Sequence, residues 1–209
     1  MKFLFFDTET TGLPLRSELL SNPSQPHVTQ LGFILEINRT DAMVVDTLIT
    51  PQNWTIGAKA RELTGITEDM CYESGIPIAD AVDLFMIAAE NCDFIVCHNV
   101  AFDRKLMAIE HARLNAERNP YSVLCGKPTL CTMEKTTNIL KLPKKDNRTN
   151  FKWPKLSECY QFFFNEELEN AHSAIVDIQA TRRVFNLLVD EGYFDEEFAA
   201  WEEAKALAA

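Results

Sequence analysis

The chain has 209 residues, 46% of them hydrophobic, enough to bury a sizeable core and few enough for one domain. Seven glycines, nine prolines and 10% aromatic residues exclude a low-complexity, fibrous or disordered chain. The formal charge of −11, from 31 acids against 20 bases, argues on its face against a partner with a phosphate backbone, although net charge describes solubility and steering more than any one site.

The N-terminal apolar run, Phe3 to Phe6, stops at Asp7, so it makes neither a secretory segment nor a membrane span. The chain reads as soluble, intracellular and cytoplasmic. Cys71, Cys92, Cys97, Cys125, Cys131 and Cys159 form no C-x-x-C pair and no Cys–His cluster at zinc spacing, which fits reduced, buried thiols.

In chain order, Lys2 to Phe6 predicts a strand buried on both faces. Val28 to Ile37 and Met43 to Thr50 predict two more, joined by a turn over Asn38, Arg39, Thr40 and Asp41. Helical patterns follow at Ala58 to Leu63, broken by Gly65, and at Ile78 to Ala89. Phe94 to Cys97 is a short buried strand leading into a helix from Ala101 to Leu114, an order that implies a sheet with helices on its faces. Thr129 to Met133 predicts a fifth strand, and Leu156 to Phe164 and Ser173 to Val189 predict helices. No repeat or linker divides the chain, so residues 1–209 read as a single domain with an acidic helical extension from about residue 190.

Asp7 and Glu9 sit two residues apart at the end of the first strand, so alternation puts both carboxylates on one face, with Cα atoms about 6.6 Å apart, where one hard divalent cation could take both. Alone, D-x-E is a common tripeptide. Thr10, Thr11, Gly12 and Leu13 then form a hydroxyl-rich turn whose backbone N–H groups could face a phosphate or ribose. Asp103 lies early in the helix after the fourth strand and meets these acids if strands one and four are parallel neighbours. His172 and Asp177, five residues apart, would point about 140° from each other within one helix, so both can line a site only if His172 precedes the helix, with Ser173 as its N-cap.

Together, FDTETTGL at Phe6 to Leu13, HNVAFD at His98 to Asp103 and H-x-x-x-x-D at His172 to Asp177 resemble the three motifs of the DEDDh 3′-to-5′ exonucleases, over nearly the whole chain. RELTGIT at Arg61 to Thr67 is similar to a signature of proofreading, epsilon-subunit-like members, and KWPKLSE at Lys152 to Glu158 to another recurring stretch. The resemblance implies a ribonuclease H-like α/β fold, a mixed five-stranded sheet flanked by helices in three α/β/α layers. It implies that Asp7, Glu9, Asp103 and Asp177 hold two Mg²⁺ or Mn²⁺ ions and that His172 is the general base. By the same similarity Thr10, Thr11 and Gly12 contact the terminal nucleotide, Leu13 and Ile66 lie against its base, and Asn99 supports the second motif or touches substrate. For Ile66 core packing is the competing reading.

Chemistry asks for such a set independently: two divalent ions about 3.5 to 4 Å apart can activate water, shield a phosphodiester and stabilise the leaving oxygen. Oxygen ligands favour Mg²⁺ or Mn²⁺ over zinc. The expected activity is metal-dependent hydrolysis from the 3′ end of single-stranded DNA to nucleoside 5′-monophosphates. An exoribonuclease that trims 3′ ends or degrades oligonucleotides is the alternative, and a non-catalytic binding module a remote third, since all four acids and the histidine are present. Expected partners are single-stranded DNA or RNA 3′ ends and, from the proofreading likeness, a polymerase or other replication protein.

One feature stands apart from the resemblance. Residues 141–155 hold six bases against the single acid Asp146, a net +5 that leaves −16 for the rest. Phe151 and Trp153 add faces for base stacking, so Lys144, Lys145, Arg148, Lys152 and Trp153 read as a strand-guiding patch.

Overall fold

The computed structural model describes residues 1–114, 124, 126–144 and 150–207. Its centre is a five-stranded sheet: β1 (Lys2–Thr10), β2 (Val28–Ile37), β3 (Thr40–Leu48), β4 (Phe94–Cys97) and β5 (Thr129–Cys131), in the order β3-β2-β1-β4-β5. β2 runs antiparallel to β1 and β3, whereas β1, β4 and β5 are parallel, so the sheet is mixed as the motifs implied. The helices are α1 (Ala58–Thr64), α2 (Glu68–Ser74), α3 (Ile78–Asn91), α4 (Val100–Leu114), α5 (Thr132–Leu140), α6 (Leu156–Phe164), α7 (Ala174–Asp190) and α8 (Asp195–Leu207).

The pleat of β1 divides the core. Leu4 and Phe6 face a cluster with Phe33, Phe85, Leu106 and Met107, under α3 and α4. Phe5 faces the other side, with Ile34, Phe94, Val96, Ile178 and Phe185, under α6, α7 and α8. These Phe and Leu side chains are fully enclosed, each a gain of about 1.5–3 kcal/mol over exposure. The acidic tail belongs to this layer: Phe198 and Trp201 of α8 lie 5.4 and 5.3 Å from the ring of Phe94.

Several boundaries differ from expectation. β1 continues to Thr10, because pairing with β2 extends through Glu9↔Gln30 and Thr10↔Val28. The β2–β3 turn has two residues, Asn38 and Arg39, both left-handed (φ 52° and 65°), the geometry whose twist matches flanking strands. β3 accordingly starts at Thr40 and ends at Leu48. α2 was not foreseen, although the Thr67 side chain caps it by accepting from Met70 N–H at 3.3 Å and two acids occupy its first turn. The run at residue 129 supplies three strand residues only, and Thr132 starts α5. The five described cysteines are free and buried; Cys125 lies outside the described residues. Among the described residues no helix is long and apolar enough to cross a membrane.

Candidate active site

The alternation that sorts the core also sorts the chemistry. Beyond Phe6 the odd residues Asp7 and Glu9 turn toward the α7 side, and Thr8 turns toward α4. Thr8 there meets Asp103, whose Oδ1 accepts from the Thr8 amide at 3.0 Å and from its hydroxyl at 2.8 Å. β1 and β4 are adjacent and parallel, so the first turn of α4 carries Asp103 to the carboxyl end of β1.

Asp177 arrives from the opposite layer in the first turn of α7, with Ser173 at the N-cap position. His172 precedes the helix in a left-handed conformation (φ 70°), uncommon for a residue with a Cβ. Its backbone N–H points back to Asp177 Oδ2, at 3.2 Å. The five-residue spacing is thus resolved as the sequence required, with His172 exposed in the loop and Asp177 in the helix. That loop leaves α6 at Asn165 and is held at its start by Arg183 of α7. The Arg183 guanidinium forks onto both Glu166 carboxylate oxygens at 2.6 and 2.9 Å, donates to the Tyr160 hydroxyl and lies over the Phe164 ring.

Ligand atoms of Glu9, His172 and Asp177 all lie within 4.8 Å of one another. Burial, then the charges of Asp103, Asp177 and Glu9, holds the Asp7 carboxyl well above the usual carboxylate range. Burial, then Asp177 and Asp103, pushes Glu9 up to about 7. Burial likewise raises Asp103 to about 7 against the lowering bonds from Thr8, and raises Asp177. Asp177 Oδ1 is buried without a hydrogen-bond partner among the described residues. Four carboxylates raised by burial, three of them also by neighbouring carboxylates, with one oxygen uncompensated, form a donor set that a divalent cation would satisfy.

These groups line one cleft of about 520 Å³. Thr10, Thr11, Gly12, Leu13 and Asn99 line it as well. The Thr10 hydroxyl donates to the Gly12 carbonyl and the Thr11 hydroxyl accepts from His27 N–H, so both threonines shape the turn. A Cβ at Gly12 would meet nothing within 4 Å, which leaves the space over the turn open. Leu13 is 78% exposed at the lip. Ile66 is not in the cleft: it is 3% exposed and packs with Ile56 and Cys71, so the RELTGIT segment reaches the cleft through Leu63 and Thr64 instead. Leu63 and Thr64 close α1 on the cleft side, whereas Ile66 follows the left-handed Gly65 that ends the helix and turns inward. Lys59 and Phe102 also line the cleft and were not singled out from sequence; their spacing within α1 and the second motif is the signal that placed them there.

His98 of the second motif has a separate task. Its Nε2 faces the Pro154 carbonyl at 3.0 Å, which can only accept, so Nδ1 accepts from the Thr132 hydroxyl at 2.9 Å. Burial pushes this imidazole down to about 4, so it stays neutral. It thereby ties the KWPKLSE segment to the cleft wall. Within that segment Lys152 is committed to Glu158 at 2.5 Å, next to the Glu158 bond from Lys155 N–H at 2.7 Å, so it secures the start of α6 and is not a free strand-guiding charge. Trp153 is 65% exposed, Lys144 is partly buried, and Lys145 and Arg148 lie outside the described residues.

Residues 4–185 match the family model described as exonuclease, of the RNase T type. A search of curated proteins found no match. Among solved structures, E. coli exonuclease I in complex with a dT13 oligonucleotide superposes with a TM-score of 0.71 at 18% identity, over 95% of this chain and 43% of that one. The zinc-bound E. coli exonuclease I–single-stranded DNA complex gives a TM-score of 0.69 at 21% identity, over 99% and 45%. The chain thus spans under half the length of those structures, and at such identities the likeness establishes the ribonuclease H-like, three-layer α/β/α fold. The family model, the fold and the three motifs agree: this chain belongs to the exonuclease family, in its DEDDh branch.

Proposed function

We propose that the protein is a divalent-metal-dependent 3′-to-5′ exonuclease that removes nucleoside 5′-monophosphates from single-stranded DNA. The observation that carries this reading is the convergence of Asp7, Glu9, Asp103 and Asp177 on one cleft, with His172 beside them and an Asp177 oxygen uncompensated. The E. coli exonuclease I structures, solved with dT13 and dA16 oligonucleotides, support single-stranded DNA as the substrate class.

Asp7, Glu9 and Asp177 would hold one Mg²⁺ or Mn²⁺, and Asp7 would share a second with Asp103. Bound there, the two ions supply positive charge for the phosphate, acidify the attacking water and stabilise the departing 3′-oxygen. The protein's residues do the rest. His172 accepts the water's proton on its imidazole and passes it to solvent, to which its loop is open. The His172–Asp177 backbone bond keeps that base beside the ligand carboxylate. Leu13 and Leu63, exposed on the cleft, receive the terminal base between them. Attack on phosphorus breaks the bond to the 3′-oxygen of the preceding nucleotide.

The test is digestion of matched 3′- and 5′-labelled DNA and RNA oligonucleotides in Mg²⁺, with and without chelator, using Asp177→Ala as control. A ladder of 5′-labelled DNA shortening from its 3′ end, abolished by chelator and by the substitution, is expected. Faster breakdown of RNA would move the reading to the exoribonuclease alternative. Activity surviving both chelator and substitution would overturn the mechanism.

A further inference from the structure

The cleft binds a polyanion, on the reading above, yet its described walls offer a single lysine or arginine, Lys59. Several basic side chains outside the cleft are spent on structure: Arg61 on Glu68, Arg182 on Asp41, Arg183 on Glu166, Lys135 on Glu197 and Lys152 on Glu158. Lys59 makes no hydrogen bond or ion pair among the described residues. It lies one turn from Leu63 on the same face of α1, and both line the cleft.

The helix that carries Lys59 is fixed. The Thr64 hydroxyl donates to Ala60 O at 2.9 Å and accepts from Ile66 N–H at 3.1 Å, and Glu68 holds the Ile56 amide at 2.8 Å ahead of the helix. Ile56 and Ile66 are buried beneath it. Lys59 is therefore a cation on a supported wall of a cleft whose other charged side chains are four acids.

We propose that Lys59 binds the internucleotide phosphate adjacent to the scissile one, and so selects polynucleotide strands over single-phosphate esters. The scissile phosphate belongs at the carboxylates, and the terminal base at Leu63. A cation four residues, about 6 Å, along the helix from Leu63 is then available to the next phosphate of the strand. Without it, that phosphate would sit in a cleft of like charge with no counterion supplied by the described protein.

The inference rests on the exonuclease reading, and its test separates the two. The full-length protein in Mg²⁺ or Mn²⁺ is assayed on thymidine 5′-(p-nitrophenyl phosphate), which has only the scissile phosphodiester, and on a single-stranded oligothymidylate across a salt series. In Lys59→Met, KM for the oligonucleotide should rise about fivefold at low salt, and the slope of log KM against log salt should fall by about 0.7, one phosphate contact on a single strand. The single-phosphate ester should lose less, and Lys59→Arg should restore the slope. Equal losses on both substrates, or an unchanged salt slope, overturn the assignment while the exonuclease reading stands. A wild-type protein that hydrolyses neither substrate overturns both.

Discussion

Gly32 stands opposite Asp7 in the β1–β2 ladder, and a Cβ built on it would lie 2.8 Å from Ile178 Cδ1 and 2.9 Å from Ala174 Cβ. The missing side chain lets α7 settle on the sheet directly beside the strand pair that carries Asp7 and Glu9. Ala174 opens the first turn of α7, and that turn also holds Asp177.

Gly32→Ala is expected to push this turn outward. The Ile178 methyl can rotate away, but Ala174 Cβ is anchored to the helix backbone and cannot. The cost should be about 1–3 kcal/mol of stability, read by urea unfolding, together with a loss of turnover as Asp177 moves from Glu9. Wild-type stability and turnover would show that α7 is not set by this contact.

His172 and Asp177 should fail in different ways. His172→Ala removes a proton acceptor and leaves the carboxylates, so Mn²⁺ binding measured by calorimetry should persist while turnover falls by about 10² or more. Asp177→Asn removes a ligand charge, so Mn²⁺ binding and activity should fall together. Near-wild-type turnover in the histidine variant, or rescue of the asparagine variant by ordinary Mg²⁺ concentrations, would refute the assigned roles.

The metal-free protein should lose stability as pH rises. Glu9 and Asp103 are raised to about 7 from ordinary values of 4.5 and 3.8, so between those limits the folded state holds protons that the unfolded chain has released. That contribution is complete below the unfolded values and gone above about pH 7. His98, lowered from 6.5 to about 4, works with the opposite sign, gaining stability as pH rises through that window. Comparing Tm in chelator for wild type and Glu9→Gln isolates the acidic contribution. The wild type should fall relative to the variant as pH increases, and Mn²⁺ should raise the wild-type Tm most near neutrality. Parallel Tm curves would contradict the repulsive cluster.

Arg183 should act on turnover through the loop that carries His172. Breaking its fork with Glu166 by Arg183→Ala frees the loop start, so kcat should drop several-fold with little change in KM, and the pH–rate profile should flatten on its acidic limb. The double exchange Arg183→Glu with Glu166→Arg should recover part of the loss. A variant altered only in Tm would make the clamp purely structural.

Much of this site was legible along the chain because its signals are local. The D-x-E spacing of Asp7 and Glu9 puts both on one face of a strand, a property of the pleat alone. The offset between His172 and Asp177 demanded a loop before the helix, a property of the helical turn alone. The run Phe94 to Cys97 followed by HNVAFD announced a strand feeding a helix, and the structure places it there.

What the chain order could not reveal depends on residues that meet only after folding. Ile66 and Leu63 are three apart in one signature, and which of them faces the cleft was decided by how α1 packs over Ile56 and Cys71. Lys152 belonged to a run of positive charge until α6 brought Glu158 to it. Lys59 had only its one-turn spacing from Leu63 as a signal until the rest of the cleft proved acidic around it. Strand and helix periods, the chemical identity of the four acids and histidine, and the family they mark can all be read from chain order. Their convergence, the depth at which α7 rests on Gly32, and the electrostatic coupling among the acids come from folding. Periodicity is written in neighbours a few residues apart, whereas burial and repulsion arise between groups such as Asp7 and Asp103, and the hydrogen bonds from Thr8 that offset them reach Asp103 from 95 residues away along the chain.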